Sequence, residues 1–218
     1  MIFNLDGILV ASDACHYKAW KRLAHEQGIA LTPELYRAML GMKRMDSLKL
    51  MLKKAERNYA PAEMWALSAR KNDLFNEMIQ GLGEESLLPG AVDTLNRLRE
   101  MGVKTAVGSS SENAGGILRK LKIRPLLDAV VDGEDIEKGK PDPEVFLTAA
   151  RKLAVPTSSC LVIENTPAGL EAAGEAGMRM IPVETAGLEE PDCPRPVTLA
   201  DLDLPGMLAG EAAEVLQN

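Results

Sequence analysis

The chain has 218 residues, of which 46% are hydrophobic and 26% are charged, and this composition is ordinary for a globular protein. Its net charge of −7 at pH 7 argues against a nucleic-acid-binding surface, which is normally basic. No apolar run approaches the ~18 residues of a membrane-spanning helix, and the first residues lack the basic and apolar segments of a secretory signal. We therefore expect no nucleic-acid partner and no membrane partner.

The three cysteines, Cys15, Cys160 and Cys193, are odd in number and far apart, and their spacing is not that of a metal site. Free thiols in a reducing compartment explain this pattern better than disulfides do. We expect a cytoplasmic protein, long enough for one full core or for a core with a smaller second lobe.

The first ten residues predict a buried strand that ends in a polar tip. Ile2 and Phe3 form a short apolar run, Asn4 and Asp6 follow it, and Gly7 lets the backbone turn away. Ligands of open parallel sheets bind just beyond the carboxyl ends of the strands. The tip is therefore a candidate active site.

An all-helical block follows this strand. Ser12 is predicted to cap a helix over about 13–27, and Thr32 followed by a proline is typical of a second helix start. Further amphipathic runs cover 45–56 and 61–80. Nothing in this block has the pattern of a strand.

From Gly90 onward, helices alternate with short apolar strands. Helices are predicted over about 91–101, 112–121, 143–153 and 167–176, and strands over 103–107, 129–131, 161–163 and 180–183. This alternation predicts an α/β fold with a doubly wound parallel sheet. Residues 1–10 and 82–218 are expected to form the α/β core domain, and residues 11–81 an α-helical domain inserted after the first strand.

Polar residues form four clusters at the ends of the predicted strands or in a nearby loop. They are Asn4 with Asp6, the serines at 109–111, Lys140, and Glu164 with Asn165. Because the carboxyl ends of parallel strands meet at one edge, these side chains can come together. Hydroxyls, a lysine and carboxyl or amide oxygens suit a phosphoryl group beside a hard divalent cation. An alternative is that the last cluster only caps the helix that follows it.

Four short motifs carry a family resemblance. In chain order they are N-L-D-G, V-G-S-S, G-K-P-D-P and I-E-N-T-P-A-G, and together they resemble the motifs of the haloacid dehalogenase superfamily of phosphotransferases. Within it the chain is most similar to the β-phosphoglucomutase-like subfamily, through H-Y-K-A-W, L-G-M-K-R-M-D-S-L and R-K-N-D in the helical block. The resemblance implies a Rossmann-like core with a helical cap domain that closes over the site and excludes water.

The resemblance also implies the chemistry of single residues. Asn4 stands at the nucleophile position, where the family has an aspartate that forms an aspartyl phosphate, and Asp6 is implied as the general acid/base. Ser109 and Lys140 match residues that bind the transferring phosphoryl oxygens. The implied cofactor is Mg²⁺, with ligands from the side chains of Asn4, Glu164 and Asn165 and from the carbonyl of Asp6.

The implied substrate is a small phosphosugar, and the chain is expected to be a monomer. Arg44, Ser111 and Asn113 match groups that hold the non-transferring phosphate, and His16 and Lys71 resemble a substrate-sensing pair. The implied substrate-binding residues are Ser12, His16, Trp20, Gly41, Met42, Arg44, Lys71, Ser110, Ser111 and Asn113. From the residues alone, His16 is also compatible with a hydrogen-bonded surface histidine, and Trp20 with the core of the cap.

Four positions depart from the family pattern. Asn4 has no useful nucleophilicity toward phosphorus, and Asn165 keeps an oxygen ligand without its charge. Ala11 replaces a common aspartate, and Glu112 stands where a lysine would hold the distal phosphate. Loss of a covalent nucleophile can cost a rate factor on the order of 10⁶, and we expect weaker Mg²⁺ binding as well.

Three functional hypotheses follow. The first is a β-phosphoglucomutase-like phosphotransferase that interconverts β-glucose 1-phosphate and glucose 6-phosphate through a bisphosphate, impaired as written by Asn4. The second, favoured by Glu112, is a sugar-phosphate phosphatase of the same superfamily. The third is a non-catalytic phosphosugar-binding relative or an inactivated variant.

Overall fold

The computed structural model describes residues 1–183, 198–203 and 206. The helices are α1 (Asp13–Glu26), α2 (Pro33–Met39), α3 (Arg44–Leu52), α4 (Pro61–Ile79), α5 (Ala91–Glu100), α6 (Ala114–Lys120), α7 (Glu144–Leu153) and α8 (Pro167–Glu175). The strands are β1 (Ile2–Phe3), β2 (Ala106–Gly108), β3 (Ala129–Val131), β4 (Leu161–Glu164) and β5 (Arg179–Pro182).

The strands form one parallel sheet in the order β3-β2-β1-β4-β5. The short strand β1 is central, since Ile2 pairs with Ala106 of β2 and with Val162 of β4. Successive side chains of a strand point to opposite faces. Ile2 accordingly belongs to one buried cluster with α7 and α8, and Phe3 to another with α5 and α6. The predicted doubly wound parallel sheet is confirmed.

The register of β1 brings the predicted polar tips to one edge of the sheet. The N–H of Asn4 donates to the carbonyl of Ile163 (2.9 Å), and the N–H of Ser109 donates to the carbonyl of Val131 (3.0 Å). Both residues therefore continue the direction of their strands and open onto the same edge.

Helices α1 to α4 lie between β1 and α5 along the chain, and no strand occurs between residues 11 and 81, all of which are described. The two connections to the core run side by side. The N–H of Leu88 donates to the carbonyl of Leu9 (3.0 Å), and the N–H of Ala11 donates to the carbonyl of Ser86 (2.8 Å). On this arrangement we propose residues 11–81 as the cap domain.

Two predicted elements differ from the structure by more than a residue or two. The strand predicted over 103–107 is displaced to Ala106–Gly108, because its register is set by β1 on one side and β3 on the other. The helix predicted over 45–56 ends at Leu52, its last buried apolar residue. The charged residues that follow are exposed, so a longer helix would gain no buried apolar surface from them. The other bounds differ only where helix and strand ends fray.

Cys15 and Cys160 are free thiols. The third predicted free thiol, Cys193, lies outside the described residues. Among the helices of the described ranges, none combines the length and the apolarity that crossing a bilayer requires.

Candidate active site

A pocket lies between the carboxyl edge of the sheet and the cap. The predicted site residues that line it are Asn4, Asp6, His16, Trp20, Gly41, Met42, Arg44, Lys71, Ser109, Ser110, Ser111 and Asn113. Ser12, Lys140 and Glu164 are buried directly behind this lining, and Asn165 is half-buried beside it. The structure thus brings residues of the core and of the cap to one place, although they are distant in the chain.

The lining also contains residues that the sequence did not single out, namely Asp13, Tyr36, Met39, Leu40, Ser47 and Thr166. Tyr36 and Met39 occupy the buried face of α2, and in the sequence they have the spacing of ordinary core residues. Thr166 had a usable signal, because a threonine before a proline marks a helix start. Its hydroxyl accepts from the N–H of Gly169 (3.1 Å) and so caps α8.

The side-chain amide of Asn4 is buried at the tip of β1, with 5% of the residue exposed. Its Oδ1 accepts from Nζ of Lys140 (3.2 Å), and its Nδ2 donates to the carbonyl of Asp6 (3.2 Å) and to Oδ1 of Asn165 (2.8 Å). An ammonium can only donate and a carbonyl can only accept, so these neighbours fix which end of the amide is oxygen. Every polar atom of this amide has a protein partner.

Lys140 and Glu164 form a buried ion pair under the pocket. Nζ of Lys140 lies 2.7 Å from Oε2 of Glu164 and also donates to the carbonyl of Gly108 (3.1 Å). Oε1 of Glu164 accepts from the N–H groups of Asn165 and Thr166 and from the hydroxyl of Thr166. Oε2 of Glu164 therefore neutralises the charge of Lys140, and Oε1 accepts hydrogen bonds from the residues just before α8. The second set of bonds supports the interpretation that this cluster caps the helix that follows it.

The serines after β2 form a polar wall beside Lys140. Oγ of Ser109 accepts from the N–H of Ser111 (3.1 Å), and Oγ of Ser110 accepts from the N–H of Lys140 (3.4 Å). These bonds leave the hydroxyl hydrogens of Ser109 and Ser110 available for an anion.

Ser12 is the N-cap residue of α1, as predicted, but its side chain does not make the capping bond. Its hydroxyl makes no capping bond to the first turn of α1 and donates instead to Oδ1 of Asp6. A carboxylate is a stronger hydrogen-bond acceptor than a neutral group. Because the hydroxyl of Ser12 donates to the carboxylate of Asp6, it points away from the first turn of α1. Burial raises the pKa of Asp6, while the bond from Ser12 opposes that rise.

His16 connects Asp6 to the cap. Its Nε2 lies 3.7 Å from Oδ2 of Asp6, and its Nδ1 lies 2.8 Å from Nζ of Lys71. Burial lowers the pKa of His16 well below its usual value, and burial together with the charge of Arg44 lowers the pKa of Lys71 to about 7. Lys71 also lies over the ring of Trp20, 5.1 Å from its centroid. A neutral imidazole therefore lies between the carboxyl of Asp6 and an amine that titrates near neutral pH, and its Nε2 makes no hydrogen bond.

At the far end of the pocket, Arg44 of the cap pairs with Glu112 of the core. Nε of Arg44 also donates to Oγ of Ser68 (3.2 Å), and Nδ2 of Asn113 donates to Oδ1 of Asn72 on α4 (2.9 Å). The guanidinium that was expected to hold a distal phosphate thus already has an anionic partner.

Two further contacts hold the cap against the core. Nζ of Lys43 donates to the carbonyls of Gly133 (3.0 Å) and Ile136 (2.7 Å). Gly41 has a φ of +80°, and a Cβ at this position would lie 2.5 Å from Oγ1 of Thr166. Only glycine fits an approach this close in this conformation.

The groups implied as Mg²⁺ ligands do not fit a divalent cation as they are arranged. Mg²⁺ requires oxygen ligands, but the atom of Asn4 that faces Asp6 and Asn165 is an amide nitrogen. The one carboxylate of the set, Glu164, is already paired with Lys140. Across the described residues, no three or more His, Cys, Asp or Glu side chains form a group that could hold a metal ion.

The chain matches the family model of haloacid dehalogenase-like hydrolases over residues 1–177. The β-phosphoglucomutase of Bacillus subtilis is 39% identical over 180 residues, which cover 82% of this chain and 80% of that protein. Hexitol phosphatase A of Escherichia coli is 32% identical over 200 residues, which cover 88% and 87% of the two chains.

Among solved structures, the β-phosphoglucomutase of Clostridium difficile superposes with a TM-score of 0.79 at 30% identity, covering 83% of this chain and 82% of that one. The predicted resemblance to β-phosphoglucomutases is confirmed. The fold, the four motifs and these relatives agree, and the chain belongs to the haloacid dehalogenase-like hydrolase family.

Proposed function

We propose that this chain binds a phosphorylated sugar in the pocket between the sheet edge and the cap, as a β-phosphoglucomutase-like phosphotransferase whose phosphoryl transfer is strongly impaired by Asn4. Relatives named as a phosphoglucomutase and a hexitol phosphatase support the substrate class. The observation that carries the proposal is the amide of Asn4, held beside Asp6 by Lys140 and Asn165.

The groups around Asn4 suit a phosphoryl group. The hydroxyls of Ser109 and Ser110 would donate to its oxygens, and the buried ammonium of Lys140 would add positive charge behind them. The carboxyl of Asp6 would exchange a proton with a sugar hydroxyl. The cap would exclude water, which in a mutase protects the phosphorylated enzyme from hydrolysis.

Asn4 blocks the step in which a bond to phosphorus forms. A carboxylate at position 4 would attack phosphorus, the bond between phosphorus and the sugar oxygen would break, and that oxygen would take the proton of Asp6. The neutral amide oxygen is a poor nucleophile, so this step loses on the order of 10⁶ in rate. Binding requires no attack, and the phosphosugar would still be held.

Restoring the carboxylates tests the proposal. The variant N4D/N165D is expected to interconvert β-glucose 1-phosphate and glucose 6-phosphate in a magnesium buffer, at a rate on the order of 10⁴ or more above that of the unaltered chain. N165D alone is the matched control, because it adds a carboxylate without a nucleophile, and it should stay inactive. Calorimetry on the unaltered chain should detect binding of glucose 6-phosphate. Absence of that binding, together with an inactive N4D/N165D variant, would contradict the proposal.

A second candidate, a sugar-phosphate phosphatase, is favoured by the ion pair between Arg44 and Glu112. A mutase must hold a second phosphate at this end of the pocket, whereas a phosphatase needs no positive charge there. If N4D/N165D releases inorganic phosphate from glucose 6-phosphate and forms no glucose 1-phosphate, the phosphatase is the correct assignment.

A further inference from the structure

The amide of Asn4 joins the oxygens that the family resemblance assigns to Mg²⁺. Nδ2 of Asn4 donates one hydrogen to the carbonyl of Asp6 (3.2 Å) and the other to Oδ1 of Asn165 (2.8 Å). A divalent cation would have to bridge these same oxygens. A nitrogen that carries two hydrogens cannot be its ligand, because it has no free lone pair to offer.

The amide is held in this orientation by Lys140. Turning it over would present an oxygen to the cation position, but it would set Nδ2 against the ammonium of Lys140, with donor facing donor. Lys140 is itself fixed, because it is buried and also contacts Glu164 (2.7 Å) and the carbonyl of Gly108 (3.1 Å). The orientation is therefore a property of the whole cluster.

The one carboxylate among the side chains implied as Mg²⁺ ligands is already neutralised. It belongs to Glu164, and its Oε2 is paired with Lys140. Its Oε1 accepts from two N–H groups and one hydroxyl, at 2.9, 2.9 and 3.0 Å. Oε1 of Glu164 is therefore fully occupied, and a metal at Oε2 would have to lie beside the ammonium of Lys140.

We propose that the amide nitrogen of Asn4 takes the place of a divalent cation in this pocket. The site then keeps its geometry, and accepts a phosphate through the hydroxyls of Ser109 and Ser110, without Mg²⁺. Exclusion of the cation follows from the hydrogen bonds alone, whereas binding of a phosphate rests on the proposed function.

Titration with MgCl₂ alone, followed by calorimetry and by the melting temperature of the full chain, tests the proposal. Ligands that bind the native state raise its stability, and we expect neither heat of binding nor a shift in melting temperature for the unaltered chain at millimolar Mg²⁺. N4D should gain both, because the new carboxylate keeps its contact with Lys140 and presents a second oxygen to Asp6 and Asn165. Saturable Mg²⁺ binding by the unaltered chain would overturn the proposal.

N165D separates this proposal from a simple effect of charge. N4D and N165D each add one negative charge to the cluster, so a charge effect alone predicts equal gains in Mg²⁺ binding. If the amide of Asn4 is decisive, N165D gains at least about tenfold less than N4D, since Nδ2 still donates to the new carboxylate. Equal gains would overturn the proposal. N58D, on an exposed loop of the cap, controls for charge added elsewhere.

Calorimetry with glucose 6-phosphate, in EDTA and in MgCl₂, tests whether the site binds a phosphate without Mg²⁺. Equal affinity in the two buffers is expected, and affinity that requires Mg²⁺ would overturn it. Absence of binding in both buffers would count against the proposed function, whereas the titration with MgCl₂ alone would still decide the role of Asn4.

Discussion

Lys140 and Glu164 make an ion pair of 2.7 Å in a place where only 1% of one side chain and 0% of the other are exposed. The pair links the loop before α7 to the end of β4, two segments that are 24 residues apart. Since Lys140 also contacts Asn4, the three groups that the sequence placed at two strand ends and in a nearby loop form one hydrogen-bonded unit. Changes to any of them should affect both stability and the site.

Glu164→Gln should destabilise the protein strongly. The change leaves the ammonium of Lys140 buried without its counter-charge, and breaking a buried pair in this way costs about 3–5 kcal/mol. Urea unfolding followed by circular dichroism would measure the loss. Asp135→Asn is the matched control, because Asp135 and Lys152 form a pair of the same length, 2.7 Å, at the surface. It should cost less than about 1 kcal/mol, and equal losses in the two variants would show that burial of the Lys140 pair has no special effect.

The part of this unit that could be predicted from the sequence is its location. Strand patterns and the rule that parallel strands end at one edge are sufficient to bring Asn4, Lys140 and Glu164 together. The direction of the Asn4 amide could not be predicted, because it depends on which neighbours donate and which accept within about 3 Å. The same limit applies to Ser12, which is the N-cap residue as predicted but whose hydroxyl donates to Asp6 and not to its own helix.

The pairing of the cap with the core was also beyond the sequence. The resemblance assigned Arg44 and the position of Glu112 to the same distal phosphate, but it did not indicate that the two side chains pair with each other across α3 and the loop after β2. Lys43 was not singled out in the sequence, yet it donates to the carbonyls of Gly133 and Ile136 in the core. Such contacts depend on how segments that are distant in the chain are placed against each other, which local patterns do not encode.

Asp13 should make stability depend on pH. Burial raises the pKa of this carboxyl, at the start of α1, from 3.8 to about 8. Between these values the folded chain holds a proton that the unfolded chain releases, so the free energy of unfolding should fall as the pH rises from about 4 to about 8. Lys71, whose pKa is lowered to about 7, acts in the opposite sense, and its contribution should rise from about pH 7 upward.

Asp13→Asn removes the first of these effects. The variant should match the unaltered chain near pH 4 and exceed its stability near pH 8, by on the order of 1 kcal/mol, because the pocket admits water and weakens the effect of burial. Urea unfolding across this pH range would measure the difference. Asp73→Asn, which removes an exposed carboxyl from α4, controls for the loss of one negative charge. A difference that stays constant with pH would contradict the assignment.

Glu112→Lys should change which phosphosugars the pocket prefers. The variant removes the anionic partner of Arg44 and adds a second cation at the far end of the pocket. We expect affinity for glucose 1,6-bisphosphate to rise about tenfold or more relative to glucose 6-phosphate, which corresponds to about 1.4 kcal/mol. Calorimetry with both ligands would measure the ratio. Glu134→Lys, an exposed position of the core, is the control for added positive charge, and a similar change of preference there would rule out a local effect.

Gly41→Ala should disturb the closed pocket, whereas Gly28→Ala should not. Both glycines have positive φ, +80° and +68°, so alanine at either position strains the backbone by on the order of 1 kcal/mol. At Gly28 nothing lies within 4 Å of the added Cβ, but at Gly41 it would lie 2.5 Å from Oγ1 of Thr166.

Thr166 cannot yield easily to this clash, because its hydroxyl both caps α8 and donates to Glu164. The turn that carries Gly41 must therefore move away from the core, and the cap moves with it. We expect Gly41→Ala to lose at least about tenfold in affinity for glucose 6-phosphate, about 1.4 kcal/mol, while Gly28→Ala keeps its affinity at a similar cost in stability. Equal affinities in the two variants would show that contact between Gly41 and Thr166 has no part in holding the pocket closed.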